Sequence, residues 1–227
     1  KNPEKVLVVE KDYNLARLLK EKFKDRIEVI NKDILKIDES SLSDQTLTVF
    51  GNLPYNISTE ILCKWILNLK EKIWVDTLIL MFQKEVGDRI ISNFNTKSYG
   101  RLTILANWRL DIKKICDISP LSFRPKPKIE STVLFFEPKK KFFLLKNSKN
   151  LEKLTRVFFM RRRKMIKKPY YKLFNENVSI ASKIGIDLNS RPQNLDFDTY
   201  LKLTKEYENL RGEFINVVSH IIRIIIF

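Results

Sequence analysis

Short β-branched runs alternate with stretches of helical periodicity through the first 140 or so residues, and this alternation restricts the fold more than any other feature of the chain. "KVLVVE" (5–10) has the continuous apolar character of a buried parallel strand. Asp12 can cap the segment that follows, where Leu15, Leu18, Leu19 and Phe23 recur at helical spacing. "IEVINKD" (27–33) and "TLTVFGN" (46–52) read as second and third strands, each closing on a polar residue. Ile61, Leu62, Trp65, Ile66 and Leu69 then mark one helix face. "WVDTLILMF" (74–82) is a fourth strand, "KEVGDRIIS" opens a helix, and "ESTVLFFEP" (130–138) is a late strand. "LTILANWRL" (102–110) suits either a helix or a strand. The pattern predicts an α/β fold with a mainly parallel sheet and helices on both faces. Beyond residue 141 the strand signals fade, and helices are expected over 150–166, 176–184 and 197–210, the last capped by Asp196. A boundary near 139–147 divides the chain into units of 1–140 and 141–227.

Composition narrows the choice of function. With 227 residues, 44% of them hydrophobic, the chain can bury a sizeable core. Lys and Arg number 43 against 27 Asp and Glu, a formal charge of +16. That excess points to a polyanionic partner, nucleic acid before an acidic membrane surface; a lysine-rich proteome is the plainer account. Cys63 and Cys116 are the only cysteines and His220 the only histidine. Neither a CxxC nor an HExxH spacing occurs, so no metal site is expected. Two cysteines in so long a chain fit a reducing compartment, and a cytoplasmic location is expected. The closing "VVSHIIRIIIF" is interrupted by His220 and Arg223 and is too short to span a bilayer; it is expected to be a strand or helix docked on the core.

In open α/β sheets, ligands collect at the carboxyl ends of strands. Glu10, Asp33 and Asn52 stand at three successive ends. An ionised acid there can accept from ribose hydroxyls or from an adenine amine, although a single acid at a strand end is more often a helix cap. "VFGNLPYNIST" (49–59) is more specific. The exocyclic nitrogen of adenine is a poor nucleophile because its lone pair is delocalised into the ring. A site that accepts hydrogen bonds from both of its N–H groups frees that lone pair. The Asn52 side-chain oxygen and a backbone carbonyl just before or at Pro54 are acceptors of the required kind. Tyr55 offers a face on which an extruded base can stack. The plainer reading is a strand-to-helix turn in which Pro54 fixes φ and Tyr55 enters the core.

"VFGNLPYNIST" resembles the acceptor motif of the ribosomal RNA adenine N6-dimethyltransferases of the KsgA type, relatives of the Erm resistance methyltransferases. Further blocks follow in the same order: "QKEV" (83–86), "YGRL" (99–102), "SFRPKPKIEST" (122–132), "FFMRRRKMI" (158–166) and "GIDLNSRPQNL" (185–195). The resemblance implies a Rossmann-like sheet that uses S-adenosyl-L-methionine, followed by a small helical RNA-binding domain. It implies dimethylation of the N6 amines of two adjacent adenosines in a hairpin near the 3′ end of small-subunit rRNA, with a role in ribosome biogenesis. It assigns Glu10 to the cofactor's ribose and Asp33 to its adenine. Asn52 lies beside the cofactor and, with the Pro54 region, accepts from the target amine. Tyr55 and Phe123 become the aromatics on either side of the target base. The partner is then small-subunit rRNA within a pre-30S ribosomal particle, met by a monomer without metal or membrane.

Arg161, Arg162, Arg163 and Lys164 cannot all share one helix face. A solvated charge run is the ordinary reading. With Lys167 and Lys168 extending the run, RNA backbone contact is the expected role. The family pattern also places a strand and a Gly-rich turn ahead of "KVLVVE". This sequence opens at Lys1 and has no clustered glycines, so an N-terminally truncated chain is expected. Two other readings remain: an Erm-type enzyme acting on large-subunit rRNA, and a catalytically silent rRNA-binding assembly factor on the same fold.

Overall fold

The computed structural model describes residues 3–69 and 73–225, with side chains up to residue 212. Strands β1 (Leu7–Val9) and β2 (Glu28–Ile30) form a parallel pair, joined through helix α1 (Tyr13–Phe23). Asp12 caps α1 as its position predicts, accepting from the Leu15 N–H at 2.8 Å. Two short 3-10 turns, at Ile34–Lys36 and Glu39–Ser41, lead to β3 (Leu47–Asn52) and helix α2 (Ser58–Asn68). Then come β4 (Val75–Gln83), α3 (Lys84–Ile90), α4 (Arg101–Arg109), β5 (Leu110–Ile118) and β6 (Ser131–Pro138).

The second sheet has the order β3-β4-β6-β5. Within it β3 and β4 pair in parallel, and β6 runs antiparallel to both β4 and β5, so β5 points the same way as β3 and β4. The expectation of a mainly parallel sheet is therefore corrected to a mixed one. The reason is β5. "LTILANWRL" resolves into helix α4 up to Arg109, and Leu110 turns directly into the strand. Buried Ile104, Leu105, Ala106 and Trp108 hold α4 on the core. β5 lies at the outer edge of the sheet and faces solvent over most of its length, so Asp111, Lys113, Lys114 and Asp117 hide its strand pattern. Its register slips between Lys114 and Cys116. Among the described residues β1 and β3 are not paired, and Phe50 on β3 is 75% exposed.

The remainder is helical: α5 (Ser148–Phe159), α6 (Lys167–Phe174), α7 (Val178–Ile184) and α8 (Phe197–Ile225). Helix α5 stops at Phe159, short of the predicted 166. Consecutive cations follow it, and a turn in which Lys164 N–H donates to the Arg161 carbonyl at 2.8 Å replaces the helix there. Helix α8 starts as predicted, with Asp196 accepting from the Thr199 N–H at 2.7 Å, but continues to Ile225. The backbone of the apolar tail is helical that far; its docking and residues 226–227 lie outside the described residues.

One connected apolar cluster runs from Ile61 and Trp65 on α2, through Leu80 and Leu134 in the sheet, to Phe158, Tyr170 and Tyr200 in the helices. Helix α3 comes close to β6 because Gly87 has no Cβ; one built there would stand 2.0 Å from the Thr132 methyl. Two buried carboxylates fasten the parts to one another. Glu208 on α8 accepts from the Lys146 and Asn147 N–H groups, both at 2.9 Å, and from the Asn150 amide. It thereby satisfies donors at the N-terminal end of α5. Glu39 is 2% exposed and accepts from the Lys64 ammonium and, at 2.8 Å, from the Trp65 indole.

The same Lys64 ammonium also donates to the carbonyls of Ile34 and Ile37, at 2.8 and 2.5 Å. Removing it leaves a buried carboxylate without its cation. Lys64→Ala is therefore expected to cost about 3–5 kcal/mol of stability. Urea unfolding of the whole chain measures it, and a loss within about 0.5 kcal/mol would mean that the cluster holds nothing in place.

Candidate active site

The C-terminal ends of β3, β4 and β5 and the start of β6 meet at one end of the four-stranded sheet. Asn52, the last residue of β3, pairs with Met81 of β4. Gln83, the last residue of β4, pairs with Ser131, and Ser131 also pairs with Ile118 at the end of β5. The loop carrying Phe123 joins β5 to β6, so it projects from the same end.

Side chains of β3 alternate strictly between the core and solvent. Leu47 and Val49 pack on the core, whereas Phe50 and Asn52 face outward. Gly51 between them is a matter of space. A Cβ there would lie 2.7 Å from a Leu80 methyl and 3.0 Å from a Leu53 methyl. The glycine lets β3 close on buried Leu80 while the Asn52 carboxamide stays accessible.

Beyond Asn52 the chain turns into α2. Pro54 has no N–H to offer, and its carbonyl accepts from the Ile57 N–H at 3.1 Å. That bond builds the helix entrance and commits the Pro54 carbonyl to it. Buried Ser58 donates to the Tyr55 carbonyl at 3.1 Å. Tyr55 is half-buried, and its hydroxyl lies 2.5 Å from the hydroxyl of Ser131. Tyr55 is thus neither sunk in the core nor loose. Phe123 is also half-buried and follows a 3-10 turn at Pro120–Ser122 that is capped by Ser119.

Asp117 of β5 pairs with Thr132, next to Ser131, and the Lys84 and Lys114 ammonium groups both reach its carboxylate at 2.7 Å. Lys114 and then Lys84 hold that carboxyl far below the ordinary carboxylate range. Lys84 N–H also donates to the Glu130 carbonyl at 2.9 Å, pinning the end of the loop.

The two acids lie on the smaller sheet. Glu10 follows β1 directly and is half-buried; its carboxylate accepts from the Asp12 N–H at 2.7 Å. Asp33 lies three residues beyond β2. It caps the 3-10 turn at Ile34–Lys36 through the Leu35 N–H at 3.0 Å and pairs with Lys11 at 2.9 Å. The Lys11 contact, with the Leu35 N–H, holds the Asp33 carboxyl below its usual range. Asp33 therefore serves as a cap, and being ionised it keeps lone pairs for a further donor. Asn31 binds the Glu10 and Lys11 carbonyls at 2.9 and 3.1 Å and so ties the two strand ends together.

The basic run is rearranged. Arg161, Arg163 and Lys164 are exposed, but in a turn and not on a helix. Arg162 points the other way. It donates to the Gln193 side chain at 3.0 Å and to the Thr96 carbonyl at 3.2 Å, and burial, with Arg89 nearby, lowers its pKa. Lys167 is exposed at the start of α6 and lies over the Tyr171 ring. Burial pushes the Cys63 thiol up to about 11, so it is not a nucleophile at neutral pH. Among the described residues no cluster of His, Cys, Asp and Glu could hold a metal ion, and no helix is long and apolar enough to cross a membrane.

Ser131 carries no signal by residue type, although it is next to last in the "SFRPKPKIEST" segment; a serine at a strand start is too common to mark a role. The Leu53 carbonyl carries no side-chain signal at all.

Comparison with known proteins points the same way. The family model described as ribosomal RNA adenine dimethylase matches residues 1–209. A protein from Pelagibacter ubique (strain HTCC1062), named ribosomal RNA small subunit methyltransferase A, is 63% identical over 212 residues, covering 93% of this chain and 81% of the relative. One of the same name from Wolbachia sp. subsp. Drosophila simulans (strain wRi) is 37% identical, covering 92% and 77%. In fold, the chain is similar to a dimethyladenosine transferase from Plasmodium falciparum, with a TM-score of 0.72 at 24% identity, covering 92% of this chain and 83% of that one. It is also similar to the 23S rRNA methyltransferase ErmE, with a TM-score of 0.60 at 20% identity and the same coverages. The match over most of the sequence leads to one conclusion: the chain belongs to the ribosomal RNA adenine dimethylase family.

Proposed function

We propose that this protein dimethylates the N6 amines of two adjacent adenosines in small-subunit rRNA, within a precursor of the small ribosomal subunit, with S-adenosyl-L-methionine as methyl donor. The observation that carries the reading is the end of β3, where Asn52 is exposed beside a carbonyl that precedes a proline and beside an anchored tyrosine. The small-subunit target is favoured over the large-subunit one. The relative at 63% identity bears the small-subunit name, while the likeness to ErmE, at 20% identity, concerns the fold alone. A silent assembly factor would have no use for an acceptor pair aimed at an amine.

The residues present suit the cofactor. Its ribose hydroxyls and adenine amine are donors, and the Glu10 and Asp33 carboxylates are acceptors standing at the ends of adjacent parallel strands. When bound, S-adenosylmethionine supplies an electrophilic methyl group on a sulfonium. Asn52 Oδ1 and the Leu53 carbonyl accept from the two N–H groups of the target amine, which turns the nitrogen lone pair toward the incoming carbon. Tyr55 and Phe123 take the extruded base between them. Residues 1–140 make up the catalytic unit. Residues 141–227 make up the helical unit that faces RNA, with Arg161, Arg163, Lys164 and Lys167 as phosphate contacts and the protein acting as a monomer.

Methyl transfer from tritium-labelled S-adenosylmethionine to small-subunit particles tests the reading. Asn52→Ala is expected to lower kcat by about a hundredfold or more, the scale of one preorganised polar contact to the reacting group, with RNA affinity nearly unchanged. Turnover like that of the wild type would remove Asn52 from the site.

The cations separate by orientation. Replacing Arg161, Arg163 and Lys164 with Gln is expected to flatten the salt dependence of RNA binding, by up to about 0.7–0.9 in log–log slope for each lost phosphate contact. Arg162→Gln is expected to leave that slope alone and to lower stability by about 1–3 kcal/mol, through its contacts with Gln193 and Thr96. Filter-binding titrations across salt, with denaturant melts, distinguish the two.

A further inference from the structure

We infer that Ser131 is a positioning residue for the methyl transfer, acting through Tyr55 to set the slot that receives the target base. The inference rests on the function proposed above.

Ser131 is fully buried, at 0% exposure, on the first residue of β6. Its backbone is locked between Gln83 of β4 and Ile118 of β5. Helix α3 packs closely against the neighbouring Thr132, where Gly87 leaves no room for a Cβ. A hydroxyl on so fixed a backbone is a rigid anchor. The Tyr55 hydroxyl is its hydrogen-bond partner at 2.5 Å. Tyr55 lies three residues beyond the end of β3, and β4 separates β3 from β6, so this hydroxyl contact ties the exit of one strand to the start of another that is not its neighbour.

This contact couples the two walls of the slot. Tyr55 forms one of them. Phe123 forms the other and stands on the loop that ends at Ser131. Among the described residues Tyr55 and Phe123 make no ring contact with each other, as a base slot requires. The Tyr55 carbonyl is held separately by Ser58, so the backbone stays put while the ring angle depends on the hydroxyl. Without Ser131 the ring can swing about its χ angles, and the target amine loses its alignment with Asn52. Ser131 touches neither the base nor the cofactor in this account.

Three variants test it in the full chain: Ser131→Ala, Tyr55→Phe and the pair. Each single variant is expected to lower kcat by about tenfold, the scale of one lost hydrogen bond, with the KM for S-adenosylmethionine and the affinity for RNA within about twofold of wild type. The double variant is expected to be no slower than either single one, because both remove the same contact. Tyr55→Phe keeps the ring face, so it decides the matter if Ser131→Ala does not fold. The spectroscopic readout is 2-aminopurine at the target position of the rRNA hairpin. Its fluorescence lifetime is expected to shift from the short stacked component toward the long unstacked one in all three variants. Wild-type kcat and lifetimes in Tyr55→Phe would overturn the proposal while leaving the methyltransferase reading intact. Failure of the wild-type protein itself to transfer methyl groups to small-subunit particles would overturn the reading and this proposal together.

Discussion

The placement of the two sheets depends on a cation held in a nearly closed ring of oxygen atoms. Lys64 projects from α2 into the carbonyls of Ile34 and Ile37 and the carboxylate of Glu39, while Trp65 on the next position takes the same carboxylate oxygen. The segment bearing those acceptors follows β2, and α2 follows β3. No backbone pairing joins β1 to β3 among the described residues, so the acids on one sheet are set against the Asn52 end of the other through side chains. Ile34 and Leu35 add apolar contact, and Ile37 is buried, but those contacts are not directional. Lys64 supplies the direction. An ammonium that must reach three acceptors at once tolerates little sliding of α2 over the turn beneath it.

The same economy appears at the reacting end. No helix carries the proposed acceptors. They arise where a strand stops, because Gly51 lets β3 press on Leu80 and Pro54 commits its own carbonyl to the turn. Rigidity comes from the sheet, and access comes from the interruption of the sheet.

How far the sequence disclosed this depended on periodicity and on charge. β1 to β4 and β6 were legible because their side chains are apolar where the sheet buries them. β5 was not, because an edge strand can be mostly polar, and Leu110 begins it without a break after α4. The place of Asn52 at the end of a strand that leads into a helix was legible from the apolar run before it and the Ser-Thr start after it. Arg162 could not be told from its neighbours for the opposite reason. Four adjacent cations look equivalent in a sequence, and only the folded turn reveals that one of them is turned inward to Gln193 and Thr96. Ser131 and the Leu53 carbonyl acquire meaning from tertiary proximity, which no local pattern encodes.

The outer edge of β5 has a consequence for behaviour in concentrated solution. A strand edge is a row of unsatisfied donors and acceptors that invites the corresponding edge of another molecule. Here that row carries Lys113 and Lys114, and its register breaks just before Cys116. The strand's own charges balance, Asp111 and Asp117 against Lys113 and Lys114, and Lys114 is already engaged by Asp117. What an approaching copy would meet is a ladder whose hydrogen-bond partners fall out of step past the slip, so the edge is guarded by register more than by net charge.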